Sequence, residues 1–209
     1  MSTGVRRVCE RKFDRVATRA EMVQATRTRL IAAARRAFAA RGYAAASMDE
    51  LTAEAGLTRG ALYHNFGDKK GLLQAVIDQI DAEMLVRMRA AGQGASPWEA
   101  FVLEGVAYVE MALEPEIQRI MLLDGPAVLG DPSRWPNQTA CLRTSTLAIE
   151  QLIDAGIAKP VDAEAAARLV NGAALNAALW VAAADDPQAV LPLAVEALRE
   201  MVSGLKLKP

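Results

Sequence analysis

A short segment near one end of the chain concentrates side chains that can recognise nucleic acid. Residues 58–66 include Arg59, Tyr63 and His64, and Gly60 permits close approach of another surface. An arginine guanidinium pairs with O6 and N7 of guanine in a DNA major groove, and tyrosine or histidine one turn on can reach phosphate oxygens. In an isolated helix the simpler interpretation would hold, in which Tyr63 is a core aromatic residue and His64 a surface residue. The neighbouring elements must therefore decide between the two interpretations.

Signals on both sides give this segment the form of a helix-turn-helix. Ser47 and Glu50 have the spacing of a capping box, which begins a short helix before the segment. Gly56 permits the positive φ of a sharp turn between two helices, and Thr58 is the N-cap of the second helix. Lys69 opens the next helix, where its charge and the free N–H groups suit a phosphate. This arrangement predicts a helix pair that contacts double-stranded DNA.

The charge of the chain is divided unevenly between residues 1–70, here called the head, and residues 71–209, the body. The formal net charge is −1, but the head carries 14 Lys and Arg against 7 Asp and Glu, and the body carries 10 against 18. A basic head on an acidic body predicts a polyanionic partner, although a chance cluster of solvated charges would give the same counts. Residues 1–25 are basic without an apolar stripe and are predicted to be a flexible basic arm; translation beginning at Met22 is the alternative.

Composition and patterning predict an all-α protein. Hydrophobic residues make up 52% of the chain and aromatic residues only 5%, and no run alternates in the manner of a strand. Caps, glycines and prolines divide the chain into about nine helices. We expect an N-terminal helix-turn-helix three-helix domain over residues 26–70 and a C-terminal helical ligand-binding and dimerisation domain over residues 71–209, with a loop or broken helix at residues 125–136.

The same composition excludes several classes of protein. The longest uncharged stretch, residues 169–184, is too short and too polar for a membrane span, and no apolar signal peptide opens the chain, so a cytoplasmic protein is expected. Cys9 and Cys141 make no disulfide scaffold and lack zinc-ligand spacing. His64 is the sole histidine, which excludes a Ser-His-Asp or Cys-His site in the body. We expect no enzyme, no metal and no cofactor.

A pattern of spaced positions runs from Phe38 to Leu73. It comprises Phe38, Gly42, Tyr43, Ser47, Leu51, Ala55, Gly56, Leu57, Leu62, Tyr63, Phe66, Lys69 and Leu72. This pattern closely resembles the DNA-binding domain of TetR-family transcriptional regulators. The resemblance implies a dimeric repressor that a small molecule, bound in the C-terminal domain, releases from its operator. By position it implies DNA contacts for Ser47, Thr58, Arg59, Gly60, Tyr63, His64 and Lys69.

Three features depart from the family pattern. Thr52 occupies a place usually held by alanine, which predicts looser packing of the first helix of the pair. Gly71 is a poor helix residue early in the helix that Lys69 opens. The basic arm is longer than most, and either adds minor-groove contacts or adds nothing.

Apolar side chains surround the predicted helix over residues 162–184 on every side. A helix that is apolar all round must be buried on several sides. Together with residues 187–204 it predicts a four-helix interface with a two-fold related copy, since reading DNA by this motif needs two heads about 34–36 Å apart. The alternative is that this helix forms the centre of one subunit's core.

Flexible and aromatic side chains of the body are candidates for a ligand pocket. They are Met88, Phe101, Tyr108, Met111, Met121, Trp135, Asn176 and Trp180, with Met84 beside them. Few charges fall among them, so a small apolar or aromatic effector fits better than a phosphorylated one, and Asn176 would supply a polar contact. For any single residue of this set, a plain core position is the alternative.

The sequence therefore predicts a DNA-binding transcriptional regulator: a ligand-released repressor that acts as a homodimer on a palindromic operator. Its effector would favour a tilt of the helix after Asp68 that mis-spaces the two recognition helices. The same residues also allow a helix-turn-helix protein that acts as a protein-interaction module, or as an activator without ligand control. Neither the operator, the regulated genes nor the effector is indicated.

Overall fold

The computed structural model describes residues 18–207, and these residues form an all-α fold, as predicted. The helices are α1 (Arg19–Ala45), α2 (Met48–Glu54), α3 (Arg59–Phe66), α4 (Lys69–Ala91), α5 (Pro97–Glu110), α6 (Pro115–Ile117), α7 (Gly125–Leu129), α8 (Pro136–Asp154), α9 (Ala163–Ala183) and α10 (Pro187–Ser203). A π-helical stretch, here called the π segment (Gln118–Asp124), joins α6 to α7. Counting α6, the π segment and α7 as one helical run gives nine principal helices in the described residues.

Helix α1 begins earlier than predicted. Thr18 and Glu21 form a capping box, in which the Glu21 amide donates to the Thr18 hydroxyl over 3.2 Å and the Thr18 amide donates to the Glu21 carboxylate over 2.6 Å. Because these bonds satisfy two amides at the helix start, residues 19–25 are helical and do not belong to a flexible arm. Residues 1–17 of the predicted arm lie outside the described residues.

Gly42 interrupts α1 close to its C-terminal end. Its φ of 79° lies in the region that favours glycine. The Arg119 guanidinium lies directly against this backbone, and a Cβ on residue 42 would overlap its Nη2 and Nε atoms. The backbone angle therefore favours glycine here, and any side chain at residue 42 would also displace the Arg119 guanidinium.

Each helix of the head contributes large apolar side chains to one core. Leu30 and Phe38 of α1, Leu51 of α2 and Leu62 of α3 are fully buried and pack with Leu72 of α4. Helix α2 has 7 residues and α3 has 8, so neither would be stable alone. The shared core therefore holds the helix pair in place.

The departures at Thr52 and Gly71 both have a structural explanation. Thr52 is buried, and its hydroxyl donates to the carbonyl oxygens of Met48 and Asp49 at 2.9 and 3.1 Å, so the polar group is satisfied inside its own helix. Gly71 lies where the end of α3 meets the first turn of α4. A Cβ on residue 71 would overlap the Phe66 carbonyl oxygen, and this close approach requires glycine.

In the body, α9 packs against α5, α8 and α10 and also contacts the π segment. Val109, Ile120, Val181 and Leu198 are among the buried side chains of this core. Helix α4 belongs to both parts of the chain, since its first turn packs on α3 and its later turns on α5. Residues 125–136 are a broken helix, one of the two predicted forms. None of the helices described is long and apolar enough to cross a membrane.

Candidate nucleic-acid interface

The helix pair α2–α3 brings most of the residues predicted to contact DNA to its surface. The exposed members are Ser47, Thr58, Arg59, Gly60, Tyr63 and His64. Leu62, the buried side chain of α3, fixes the rotation of this short helix so that Tyr63 keeps 53% of its surface exposed. The outward face of α3 is therefore polar and aromatic, and close backbone approach is possible at Gly60.

Two of these residues are also helix caps. The Ser47 hydroxyl accepts from the Glu50 amide at 3.1 Å, and the Thr58 hydroxyl accepts from the Ala61 amide at 3.2 Å. A hydroxyl that accepts from its own helix still has a proton to donate, and a phosphate oxygen is an acceptor. The caps and the predicted DNA contacts are thus compatible.

Arg59, at the first position of α3, is held by an acidic residue of α2. Its Nε donates to Oδ1 of Asp49 and its Nη2 donates to Oδ2, which makes a two-point ion pair. These hydrogen bonds raise the pKa of the Arg59 guanidinium. The side chain is exposed and charged, and one of its edges is already occupied.

Lys69 differs from the other predicted contacts because it is half-buried. Its Nζ lies 4.3 Å from the centre of the Tyr43 ring and donates to the Ala44 carbonyl oxygen at 3.5 Å. Partial burial lowers the pKa of Lys69, while the charge of Asp124 acts in the opposite direction. To meet a phosphate, this ammonium group must leave the face of Tyr43.

Two arginines of α1 support the helix pair, and neither was identified from the sequence. Nη1 of Arg27 donates to the Asn65 carbonyl oxygen at 2.7 Å, and its guanidinium lies 4.4 Å from the centre of the Phe66 ring. Nη2 of Arg29 donates to the Ala55 carbonyl oxygen. Cations satisfy the free carbonyls at the C-terminal ends of α3 and α2. These partners lie 38 and 26 positions apart in sequence, so local spacing gives no signal for them.

The π segment connects the body to the kink in α1. The Tyr43 amide donates to Oδ2 of Asp124 at 2.7 Å, and the Arg119 Nε lies 3.4 Å from the same oxygen. At its other end, Nε2 of Gln118 donates to the Ala182 carbonyl oxygen of α9 at 3.0 Å. The π segment therefore makes polar contacts with both the end of α9 and the head.

The predicted ligand residues fall into three groups. Met111, Met121 and Trp135 are buried in the core, as is Met84. Met88, Phe101 and Tyr108 are half-buried and pack against that core, while Asn176 and Trp180 are exposed on α9. The structure thus corrects the assignment of Asn176 and Trp180 to a pocket within one subunit, because Ala174, Ala178 and Val181 occupy the inward side of α9.

An apolar cavity of about 20 Å³ lies between α5, α9 and α10. Its walls include Phe101, Gly105, Val170, Ala174, Leu198 and Val202. This volume holds about one water molecule, so an organic ligand enters only if the helices separate. Of the predicted ligand residues, Phe101 lines it.

A polar group of side chains lies elsewhere in the body, between α8 and α9. The Ser145 hydroxyl donates to Oδ1 of Asn171 at 3.0 Å, and the Asn171 amide nitrogen lies 3.9 Å from the Cys141 sulfur. Burial raises the pKa of both the Cys141 thiol and the Tyr108 phenol, with a further contribution from the charge of Asp81. Across residues 18–207, no cluster of His, Cys, Asp and Glu is arranged to hold a metal ion.

Large apolar side chains are exposed on the outward sides of α9 and α10, and together they are here called the outer face (Leu169, Trp180, Leu193 and Met201). These four side chains are 76%, 50%, 57% and 66% exposed. The alternative, in which α9 is the centre of one subunit's core, therefore describes only the buried side of this helix. One side of α9 is in that core and the other is uncovered.

Comparisons with known proteins agree with this geometry. Residues 30–76, from the head into the first turns of α4, match the family model described as bacterial regulatory proteins of the tetR family. Residues 98–205 of the body match the tetracyclin repressor-like C-terminal domain. A crystal structure of a TetR-family transcriptional regulator from Pectobacterium atrosepticum is 49% identical and superposes with a TM-score of 0.84, covering 92% of this chain and 100% of that one.

Two curated relatives are similar over shorter stretches. The transcriptional regulator UidR of Escherichia coli K12 is 29% identical over 130 residues, or 62% of this chain and 63% of UidR, so the matched region spans less than two thirds of that relative. The regulator TtgR of Pseudomonas putida is 43% identical over 60 residues, 29% of each chain. The helix-turn-helix and the all-helical body, together with these matches, show that the chain belongs to the TetR family of helix-turn-helix transcriptional regulators.

Proposed function

We propose that this regulator represses transcription as a homodimer bound through α3 to a palindromic operator, and that a small apolar or aromatic molecule releases it. The observation that carries the proposal is the exposed polar face of α3 on a fixed base. Leu62 packs α3 into the core, and Arg27 and Arg29 donate to carbonyl oxygens at the C-terminal ends of α3 and α2. A helix fixed in this way loses little conformational freedom when it enters a major groove.

The outer face supports the homodimer. Its four large apolar side chains are each at least half exposed, and a surface of this kind on a monomer marks an interaction site. A second copy related by a two-fold axis presents the same patch, so each outer face covers the other. A two-fold pair of heads also matches the symmetry of a palindromic operator.

The cavity and the π segment support ligand control. The cavity of about 20 Å³ between α5, α9 and α10 has to enlarge to admit an effector, which moves α9 against its neighbours. Gln118 ties the end of α9 to the π segment, and Asp124 ties the π segment to Tyr43 in the head. Movement of α9 would therefore shift the head and change the spacing of the two recognition helices.

The DNA-binding part of the proposal is tested with the purified full chain and no effector. Genomic fragments retained at low ionic strength identify the operator, and fluorescence anisotropy then gives its Kd across a salt series. We expect the logarithm of the affinity to fall linearly with the logarithm of the salt concentration. Arg59→Ala should weaken operator binding by roughly tenfold or more, whereas Arg143→Ala, an exposed arginine of α8, should leave it unchanged.

A chain that retains no genomic fragment under these conditions contradicts the proposal and favours the protein-interaction module. Repression is tested by in vitro transcription from a promoter that carries the operator. Added protein should lower the transcript level; a rise in transcript would instead indicate an activator.

The effector part is tested by adding small aromatic compounds to the operator complex and following release of the labelled DNA. Compounds that release DNA should also raise the melting temperature of the free protein, because they bind its folded state. Phe101→Ala should weaken both effects and leave operator binding without effector intact. Release by phosphorylated compounds alone would contradict an apolar or aromatic effector.

A further inference from the structure

Helix α2 carries three acidic residues, and each is paired with a different arginine. Glu50 lies 3.2 Å from Arg41, and Glu54 lies 2.8 Å from Arg36, so these two pairs join α2 to α1. The third acid, Asp49, reaches across to α3 and pairs with Arg59. One acidic side chain of α2 is thus committed to the helix that reads DNA.

The atoms used in that pair leave the base-reading edge of the arginine free. A guanidinium has two forks of donors: the side fork of Nε with one Nη, and the end fork of Nη1 with Nη2. Asp49 occupies the side fork, through Nε to Oδ1 and Nη2 to Oδ2. Nη2 keeps a second hydrogen, so the end fork retains two parallel donors. O6 and N7 of guanine accept such a pair.

We propose that Asp49 is a specificity-determining residue, which holds Arg59 by its side fork so that the end fork is presented to one guanine of the operator. This inference rests on the proposed reading of DNA by α3. Asp49 touches the reading side chain rather than the base, and is therefore a positioning residue.

Stability does not account for the pair. Both side chains are more than half exposed, and ion pairs between exposed groups contribute little to folding. Orientation does account for it. A long arginine side chain loses rotamer freedom when it is immobilised on DNA, and a side chain already held in one direction loses less. The carboxylate also disfavours misreading, because without its arginine partner it would face the acceptor atoms of guanine and repel them.

The test is a double-mutant cycle on the full-length protein with its selected operator. Kd is measured for the operator and for variants in which each G·C pair is replaced in turn, including 7-deazaguanine, which lacks the N7 acceptor. We expect wild type to lose the most affinity at one guanine, and Arg59→Ala to abolish that preference. Asp49→Ala should weaken operator binding about two- to tenfold, the cost of ordering one long side chain, and reduce the preference at that same guanine. In the Arg59→Ala background, Asp49→Ala should leave binding unchanged or tighten it.

Two further variants separate positioning from other effects. Asp49→Asn keeps the size of the side chain and should give an intermediate preference. Asp78→Ala removes another exposed carboxylate, whose partner is Gln74 of the same helix, and should not change the preference at any base pair. Melting curves confirm that each variant is folded.

Three results would overturn the inference. In the first, Asp49→Ala keeps the wild-type preference for the guanine that Arg59 reads. In the second, it tightens binding to every sequence equally, as expected if Asp49 only masks Arg59. In the third, it weakens binding by the same factor with and without Arg59. A wild-type protein that binds no operator overturns the proposed function instead, so the two failures are distinguishable.

Discussion

The head and the body are stabilised in different ways. In the head, two helices of 7 and 8 residues pack on a shared apolar core and are fixed further by specific polar contacts: a capping box at Ser47, and arginines on the carbonyl oxygens of Ala55 and Asn65. In the body, longer helices pack through apolar side chains around a small cavity. Directional contacts fix one geometry, whereas apolar contacts between helices permit small sliding motions. The comparison predicts that the head is the more rigid part and that the helices of the body can shift against one another.

The π segment lies at the junction between the head and the body. Arg119 lies against the backbone of α1 at Gly42, and Asp124 accepts a hydrogen bond from the Tyr43 amide. The connection to the head is therefore polar and directional. Its buried residues Ile120, Met121 and Leu122 belong to the apolar core. π-helical turns are often found at functional sites, and this segment contacts both the apolar core and the backbone of α1.

The largest effect is expected from Trp180→Asp, which tests whether the body depends on a second copy. The substitution removes a large aromatic side chain from the outer face and puts a charge where the partner must pack. We expect a loss of about 3 kcal/mol or more of association free energy. Sedimentation velocity at micromolar concentration should show a monomer that remains fully helical.

Leu147→Asp is the matched control for that experiment. Leu147 is 55% exposed on α8, outside the outer face, and its substitution should leave the dimer intact. An intact dimer for Trp180→Asp, or a monomer for Leu147→Asp, would show that the outer face is not the interface.

Gly71→Ala should give the next largest effect and tests the rigidity of the head. The added methyl group overlaps the backbone carbonyl of Phe66, which cannot move without displacing α3 from α4. We expect a loss of about 3 kcal/mol in unfolding free energy, measured by denaturant titration. Gly105→Ala in α5 is the comparison, since no atom of another element lies within 4 Å of its Cβ position, and it should stabilise the protein by about 0.5–1 kcal/mol. Wild-type stability of Gly71→Ala would contradict a rigid contact at this point.

Gly71 also shows what the sequence could and could not predict. Local signals located the helix-turn-helix correctly, because caps at Ser47 and Thr58 and the turn at Gly56 act between near neighbours. The same kind of signal at Thr18 was present and was missed, so α1 was predicted to begin too late. The need for glycine at residue 71 depends on the packing of two helices and cannot be seen in a linear pattern.

In the body, the sequence predicted helices but not their inward and outward sides. Helix α9 is apolar all round, so its pattern does not show that Ala174 and Ala178 point inward while Asn176 and Trp180 point outward. The pocket assignment failed at those two residues for this reason. Asp49, the partner of Arg59, was also missed, because the contact between α2 and α3 forms only through the turn.

Asp124→Asn should have a smaller effect and tests the junction. The substitution removes the charge that pairs with Arg119 and weakens the hydrogen bond from the Tyr43 amide. A hydrogen bond to a charged group contributes about 1.5–3 kcal/mol, and asparagine keeps part of it, so we expect a loss of about 1 kcal/mol. Hydrogen exchange should speed up in the peptide that contains Tyr43 and not in α8. Asp131→Asn, which removes an exposed charge beside Arg134, should leave exchange near Tyr43 unchanged.

The smallest effect is expected from Lys69→Ala. This variant tests whether the half-buried ammonium group contacts a DNA phosphate or only stabilises the head through Tyr43. If it leaves Tyr43 for a phosphate, the variant should bind all sequences more weakly and reduce the salt dependence of the affinity by about one ion, with no change in base preference. Lys159→Ala in the body, whose Nζ donates to the Gly204 carbonyl oxygen, should change neither quantity.

The wild-type contact of Lys69 should also respond to pH. Burial lowers the pKa of Lys69 in the free protein and a phosphate would raise it again, so binding takes up protons and the affinity should fall as the pH rises toward that lowered pKa. An unchanged salt slope together with a flat alkaline profile would leave Lys69 as a support for Tyr43, and the head would read DNA without it.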